Sequence, residues 1–272
     1  MKEKITKKLS IIEKEYNVKI IYACESGSRA WGFESQDSDY DVRFIYFHDL
    51  NWYLSVEDRR DVIEMPADGV FDINGWDLRK TLKLLRKSNP PLLEWLQSPI
   101  VYNKIDNHAK LIKDLLPKYY SSRNCYYHYL HMAKGNFRDY LKGEEIWIKK
   151  YFYVLRPILA CRWIKRYNCP VPMEFEILMR KTVDAKELRI KIDELLKRKR
   201  SGEDLDYAPR ILLISKFIET ELSRLAQNKP DKTELKDYSE LNRVFRKIIG
   251  IGDILDKLDK YCILRQNKHK SN

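Results

Sequence analysis

Apolar and polar positions recur in two different ways along this chain, and the change divides it. Over residues 4–16, Ile5, Leu9 and Ile12 fall at helical spacing. Residues 18–24 (VKIIYAC) form a short β-branched run that reads as a buried strand, and residues 42–47 read as a second. Residues 61–65 and 70–73 predict two more strands, separated by the turn signal PADG. Asp77 then stands as N-cap to a helix over DLRKTLKLLRK, which SNPP stops before LLEWL resumes. From His108 onward the period is helical. Helices are expected over residues 123–142, 144–167, 183–200, 208–226 and 235–261, with KRKRSGEDLDYAP as the exposed loop and Gly250 and Gly252 breaking or bending the last element. The pattern predicts an α+β fold: a mixed-sheet unit over residues 1–105, then a mostly helical region over residues 106–272.

Composition narrows the partners. With 44% hydrophobic residues in 272, the chain can bury a core, and its net charge of +12 favours an anionic partner. Nucleic acid is the commonest such partner of a soluble protein; nucleotide phosphates and membrane surfaces are the others. No apolar run approaches the ~20 residues needed to span a bilayer, and MKEKITKKLSIIEKEY lacks the apolar stretch of a signal peptide. The five cysteines are scattered without a CxxC, as in reduced thiols. A cytoplasmic protein with no membrane attachment is expected; oligomeric state is not encoded in any pattern found.

The chemistry gathers in GSRAWGFESQDSDYDVRFIYF, residues 27–47. Carboxylates at alternating positions before a strand repel one another unless a cation sits among them. In an extended strand Asp39 and Asp41 project to one face with Cα atoms roughly 6–7 Å apart. That spacing suits a pair of Mg²⁺ ions (or Mn²⁺) about 3.5–4 Å apart, the arrangement for in-line displacement at phosphorus. Upstream, Gly27 lets backbone approach a phosphate without an intervening Cβ. Ser28 adds a hydroxyl, Arg29 a charge, and SRAW could open a helix whose free N–H groups face an anion. Asp72, a lone carboxylate in the apolar setting Val70–Ile73, is the candidate third carboxylate, and Asp77 its rival.

Gly-Ser followed after a gap by Asp-x-Asp on a strand resembles the signature of the DNA polymerase β-type nucleotidyltransferase superfamily. GSRAWGFESQDSDYDVRF, with FDINGWDLRKTLKLLRKSNPPLLEWLQSPIVY, HYLHMAKGNFRDYL and KKYFYVLRPILACRWI, is similar to a narrower group, the RNA-repair-associated polymerase β family, over at least residues 20–165. The resemblance implies a mixed sheet flanked by helices and a helical region closing over a nucleoside triphosphate. Gly27 and Ser28 would grip phosphate, Asp39 and Asp41 would be metal ligands, and Asp72 the third catalytic carboxylate and metal ligand. The implied activity is transfer of NMP from an NTP to a hydroxyl, with an RNA end, tRNA-like, as acceptor. AMP transfer to a protein or to a small molecule keeps the same fold, and an inert nucleic-acid-binding module is the non-enzymatic alternative.

Other clusters read more plainly. Arg156 lies in the apolar run YFYVLRPILA, where an unpaired charge is expensive, so a carboxylate or a triphosphate should neutralise it. The resemblance implies that the helical half supplies triphosphate contacts, and Lys149, Lys150 and Arg156 are assigned to them, against a surface lysine pair and an internal ion pair. Cys125, His128 and His131 lack a fourth zinc ligand and read as packing residues. The tyrosines at 119, 120, 126, 127, 129, 140, 151 and 153 read mainly as interior packing, with base stacking the lesser alternative. KELRIKIDELLKRKR reads as a solvated amphipathic helix.

Overall fold

The computed structural model describes residues 1–66, 69–203, 205–227 and 236–252. Helix α1 (Lys2–Glu15) buries Ile5, Leu9 and Ile12, as their spacing predicts. Strand β1 (Lys19–Glu25), the short helix α2 (Gly27–Trp31) and strand β2 (Tyr40–Phe47) follow, so the second strand begins at Tyr40 rather than Val42. Helix α3 (Leu50–Tyr53), capped by Asp49, was not foreseen. Strands β3 (Val62–Glu64) and β4 (Phe71–Asp77) are the expected pair, with β4 running on to Asp77. There the Asp77 carboxylate accepts the Arg79 N–H and caps helix α4 (Leu78–Arg86). Asn89 caps helix α5 (Pro90–Gln97), where proline sits in the first turn and loses no needed N–H. Strand β5 (Val101–Lys104), also unforeseen, completes a five-stranded sheet of order β3-β4-β2-β1-β5. The β2–β4 pair is parallel and the others are antiparallel.

The rest is helical with one small ribbon. Helices α6 (Asp106–Lys113), α7 (Leu116–Tyr119) and α8 (Ser122–Tyr140) lead to strand β6 (Glu145–Trp147). Residues 144–167 are therefore not one helix: E-I-W-I alternates as a strand before helix α9 (Lys150–Tyr167) begins. Helices α10 (Phe175–Thr182) and α11 (Lys186–Arg200) precede strand β7 (Tyr207–Pro209), which pairs with β6 inside the segment expected to be loop. Helices α12 (Leu212–Gln227) and α13 (Ser239–Ile248) close the described chain. Gly250, at φ 83°, ends the last helix, and residues 253–261 of the expected element lie outside the described residues.

Side-chain alternation gives the sheet two different faces. Val42, Phe44, Tyr46 and Ile73 pack with Ile5, Leu9 and Ile12 beneath α1. Each such side chain contributes ~1.5–3 kcal/mol when fully buried, so α1 seals this face. Ile45 and Trp76, on the opposite face, join a larger core continuous with α8, α9 and α12. Four of the tyrosines in the helical half are interior: Tyr126, Tyr129 and Tyr151 direct hydroxyls to the Leu225 carbonyl, Glu94 and Ser215, and Tyr119 to the Asp237 carbonyl. Among the described residues no helix is long and apolar enough to cross a membrane.

Candidate active site

Two carboxylates meet on one rung of the parallel ladder. The β2–β4 register sets Asp41 beside Asp72, and Arg43 beside Asn74, all on the face toward the helical half. Arg43 clasps the pair: its Nη2 donates to Asp41 Oδ1 at 3.0 Å and to Asp72 Oδ2 at 2.7 Å, while Nη1 donates to the Asp72 carbonyl at 2.8 Å. Burial pushes the Asp41 carboxyl above its ordinary value; Arg43 opposes this, and the nearby Asp72 and Asp39 carboxylates add to it. The three acidic groups expected to act together are thus in electrostatic contact. Asp39 itself lies just before β2, exposed, and lines the same cavity as Asp41.

Gly27 has a more specific task than leaving room for a phosphate. Its φ is +57°, and a Cβ there would lie 1.9 Å from Asp41 Oδ2. The Asp41 carboxylate occupies the space that any other residue would fill. Glu25, at the end of β1 and fully buried, accepts the Asp41 backbone N–H at 2.7 Å and the Tyr102 hydroxyl. Burial raises the Glu25 carboxyl, and these two donors hold it down. Sequence reasoning passed over Glu25; a carboxylate ending the apolar run of β1, two residues before Gly27-Ser28, was the available signal.

The cavity over these groups measures about 390 Å³ and is lined by Gly27, Ser28, Asp39, Asp41, Lys149 and Lys199, among others. Lys149, expected to meet phosphate, is there. Lys199 was missed, because it belongs to α11, read as a solvated helix. That helix buries Leu188, Ile192, Leu195 and Leu196, and this packing turns Lys199 inward, 3.2 Å from Ser35 Oγ. Burial and the neighbouring Lys149 lower the Lys199 ammonium, against the pull of Asp37. Two like charges held together over a polar cavity favour an anionic guest.

Three expected phosphate ligands have other tasks. Arg29 donates Nε to the Asp39 carbonyl and Nη2 to the Ser38 carbonyl, and its guanidinium lies 3.8 Å from the Tyr40 ring centroid. It clamps the loop that carries Asp39. Lys150 sits among the rings of Tyr140, Tyr153 and Trp147 rather than at the cavity. Arg156 is 3% exposed and pairs with Glu94 at 2.6 Å, so the internal carboxylate is what neutralises it. Asp77, the rival third carboxylate, is fully buried, takes the Tyr53 hydroxyl at 2.6 Å and caps α4, facing away from the clasp. Cys125 is buried, its thiol donating to the Ser88 carbonyl.

The donor set suits a hard cation. Asp39, Asp41 and Asp72 offer only oxygen, as Mg²⁺ and Mn²⁺ prefer, and the mutual repulsion at Asp41 is what a cation relieves. Among the described residues no group of three acidic, histidine or cysteine side chains stands ready-clustered around one point. Arg43 supplies the positive charge between Asp41 and Asp72, and its guanidinium must yield for those carboxylates to take a metal.

The family described as the RNA repair pathway DNA polymerase beta family (RlaP) matches residues 1–247. The uncharacterized protein YcgL of Bacillus subtilis (strain 168) is 53% identical over 246 residues, covering 90% of this chain and 95% of that protein. A crystal structure of a nucleotidyltransferase-like protein from Exiguobacterium sibiricum 255-15 shares 13% identity, covering 94% of this chain and 90% of the other. Its TM-score of 0.31 is too low for the likeness to carry weight.

Proposed function

Because the chain belongs to the RNA repair pathway DNA polymerase beta family, we propose that it is a metal-dependent nucleotidyltransferase that moves NMP from an NTP onto a hydroxyl of an RNA end. The observation that carries the reading is the shared rung of Asp41 and Asp72 beside a cavity holding Gly27, Ser28, Lys149 and Lys199. Mg²⁺ or Mn²⁺ held by Asp39, Asp41 and Asp72 would stabilise charge on the attacking and leaving oxygens. Lys149 and Lys199 neutralise the triphosphate, and the Ser28 hydroxyl orients it. Once Arg43 has released Asp72 Oδ2 to the cation, Oδ1 would be left to take the acceptor hydroxyl proton. The acceptor oxygen bonds to the α-phosphorus, the bond to the bridging oxygen breaks, and pyrophosphate leaves with the electron pair. Positioning and electrostatics supply most of the rate. The +12 charge supports RNA over a small molecule as acceptor.

Incubation of labelled ATP, CTP, GTP and UTP with total RNA and Mg²⁺, beside an Asp39→Asn variant, tests the reading. Label in RNA with the wild type alone is the expected result. Label in protein instead would turn the assignment to protein modification, and no label with any nucleotide would remove it.

Asp72 and Asp77 separate in the same assay. Asp72→Asn should lower transfer by at least ~10²-fold, in the range of catalytic acid–base groups. Asp77→Asn should stay within a few-fold of the wild type, because asparagine still caps α4. Burial holds the folded Asp77 carboxyl above its unfolded value of ~3.9. The stability tied to it is full below that value and is lost as the pH rises through the raised one. Asp77→Asn should therefore gain in melting temperature relative to the wild type as the pH rises above about 4, read by thermal denaturation. Lys199→Ala should raise the nucleotide KM by ~10-fold or more with a smaller change in kcat, as loss of one charge-assisted phosphate contact does.

A further inference from the structure

A second chamber opens on the other side of the Arg43 clasp. It measures about 430 Å³, within the ~300–1,000 Å³ of small-molecule sites. Its character differs from that of the phosphate-side cavity. Trp31, Trp76, Trp95 and Tyr153 give it aromatic walls, with Asn74 and Asn136 as polar points. Trp76 stacks on the buried Trp95 with centroids 3.8 Å apart, which fixes its ring. Ser26, Trp31, Arg43 and Tyr153 line both spaces, so the two adjoin across the clasp.

The carboxylates divide between the spaces. Asp39 and Asp41 line the phosphate-side cavity, and Asp72 lines the tryptophan chamber. The chamber also has unused hydrogen-bonding capacity. Trp31 Nε1 and Arg156 Nε have no hydrogen-bond partner among the described residues, but both atoms are sealed from solvent, with the Arg156 guanidinium 4.7 Å from the Trp31 ring centroid, so the capacity open to a guest is that of the asparagines. Asn74 and Asn136 spend their amide N–H on Glu64 and on the Tyr153 carbonyl, which leaves amide oxygens to accept. Flat aromatic walls with amide oxygens between them match a heteroaromatic ring that carries hydrogen-bond donors on its edge.

We propose that this chamber seats the terminal nucleobase of the acceptor RNA, stacked on Trp76, so that the terminal ribose hydroxyl is delivered to Asp72. The assignment rests on the nucleotidyltransferase reading for its reaction, but the binding it asserts does not. The triphosphate side is taken by Lys149 and Lys199, so the group arriving on the Asp72 side is the attacking one. The amide oxygens of Asn74 and Asn136 fit a base with an exocyclic amine, and single-stranded RNA ends offer it unstacked.

The test has two arms. In the first, tryptophan fluorescence of the full chain is titrated with adenosine, guanosine, cytidine and uridine, and with ribose as control. Saturable quenching by at least one nucleoside and none by ribose is expected. It should weaken roughly tenfold or more in Trp76→Leu and be retained in Lys199→Ala. In the second, transfer is compared between an RNA oligonucleotide and the same RNA with an abasic terminal ribose. The abasic end should raise the acceptor KM roughly tenfold or more with the nucleotide KM unchanged, and Trp76→Leu should add nothing further to that loss. Equal use of the abasic end, or a Trp76→Leu effect on the nucleotide KM instead, overturns the assignment. If no RNA is labelled at all, the reaction fails, and the first arm still decides the chamber: absence of nucleoside binding overturns it. Should Trp76→Leu fail to fold, Asn136→Ala, at a half-buried position of α8 on the chamber wall, replaces it in both arms.

Discussion

Replacing Asp41 with asparagine is expected to lower nucleotidyl transfer by at least ~10³-fold while leaving the melting temperature unchanged or higher. The first half follows from position. Asp41 shares a rung with Asp72 and a cavity with Asp39, Lys149 and Lys199, so its charge is central to any cation held there. Removing one well-placed electrostatic group costs ~10²–10³-fold in characterised sites, and a metal ligand adds the weakening of the metal itself. The second half follows from the energetics of the folded state. Burial and the Asp72 and Asp39 charges all disfavour the ionised Asp41 carboxyl, and Arg43 offsets them in part. Asparagine removes the repulsion, fits the same space, and leaves Arg43 its bond to Asp72. Loss of activity with no loss of stability is the behaviour of a group retained for chemistry. Label transfer and thermal denaturation of the same preparation check both halves; a large fall in melting temperature would assign Asp41 to the fold instead.

Gly27→Ala is expected to cost ~1–3 kcal/mol of stability and to lower transfer by ~10²-fold or more. Two effects combine. The left-handed backbone at φ +57° costs a non-glycine residue roughly 1–2 kcal/mol. The new Cβ would also stand 1.9 Å from Asp41 Oδ2, so the carboxylate must move. Gly32→Ala separates the two, because Gly32 has φ +82° with nothing within 4 Å of its Cβ position. It should show the backbone cost alone, with transfer near the wild-type level. Urea denaturation and label transfer on the two variants decide between them. Equal loss of activity in both would mean that strain, and not displacement of Asp41, accounts for the Gly27 effect.

How much of this could be read in advance depended on distance along the chain. Gly27, Ser28, Asp39 and Asp41 lie within one short segment, and alternation in β2 places the acidic pair on one face whatever surrounds it. Arg43 continues the same alternation and could have been named from it. Asp72 was legible because a carboxylate in an apolar strand is unfavourable without a purpose, and Asp77 because capping explains it. The signal failed where tertiary packing decides. Arg29 and Arg156 are cations near the motif or in an apolar helix, yet each finds its partners inside the protein, the former in backbone carbonyls and the latter in Glu94. Lys199 carries no local mark at all; only the packing of α11 turns it toward the cavity. Strand β5 and the β6–β7 ribbon are too short for periodicity to reveal, and pairing partners far along the sequence create them.

The parallel pairing of β2 with β4 has a bearing on how such a protein tolerates change. Asp41 and Asp72 are brought together by ladder hydrogen bonds rather than by the chain joining them. Insertions in the stretch between Leu54 and Asp61, past α3, lengthen a loop at a cost that grows only logarithmically, and they leave the two acids abreast. A single deletion inside either strand would instead slip the ladder by one place and swing an acid to the side sealed by α1. Descendants of this chain can thus remodel the connection freely, whereas the spacing within the two strands is fixed to the residue.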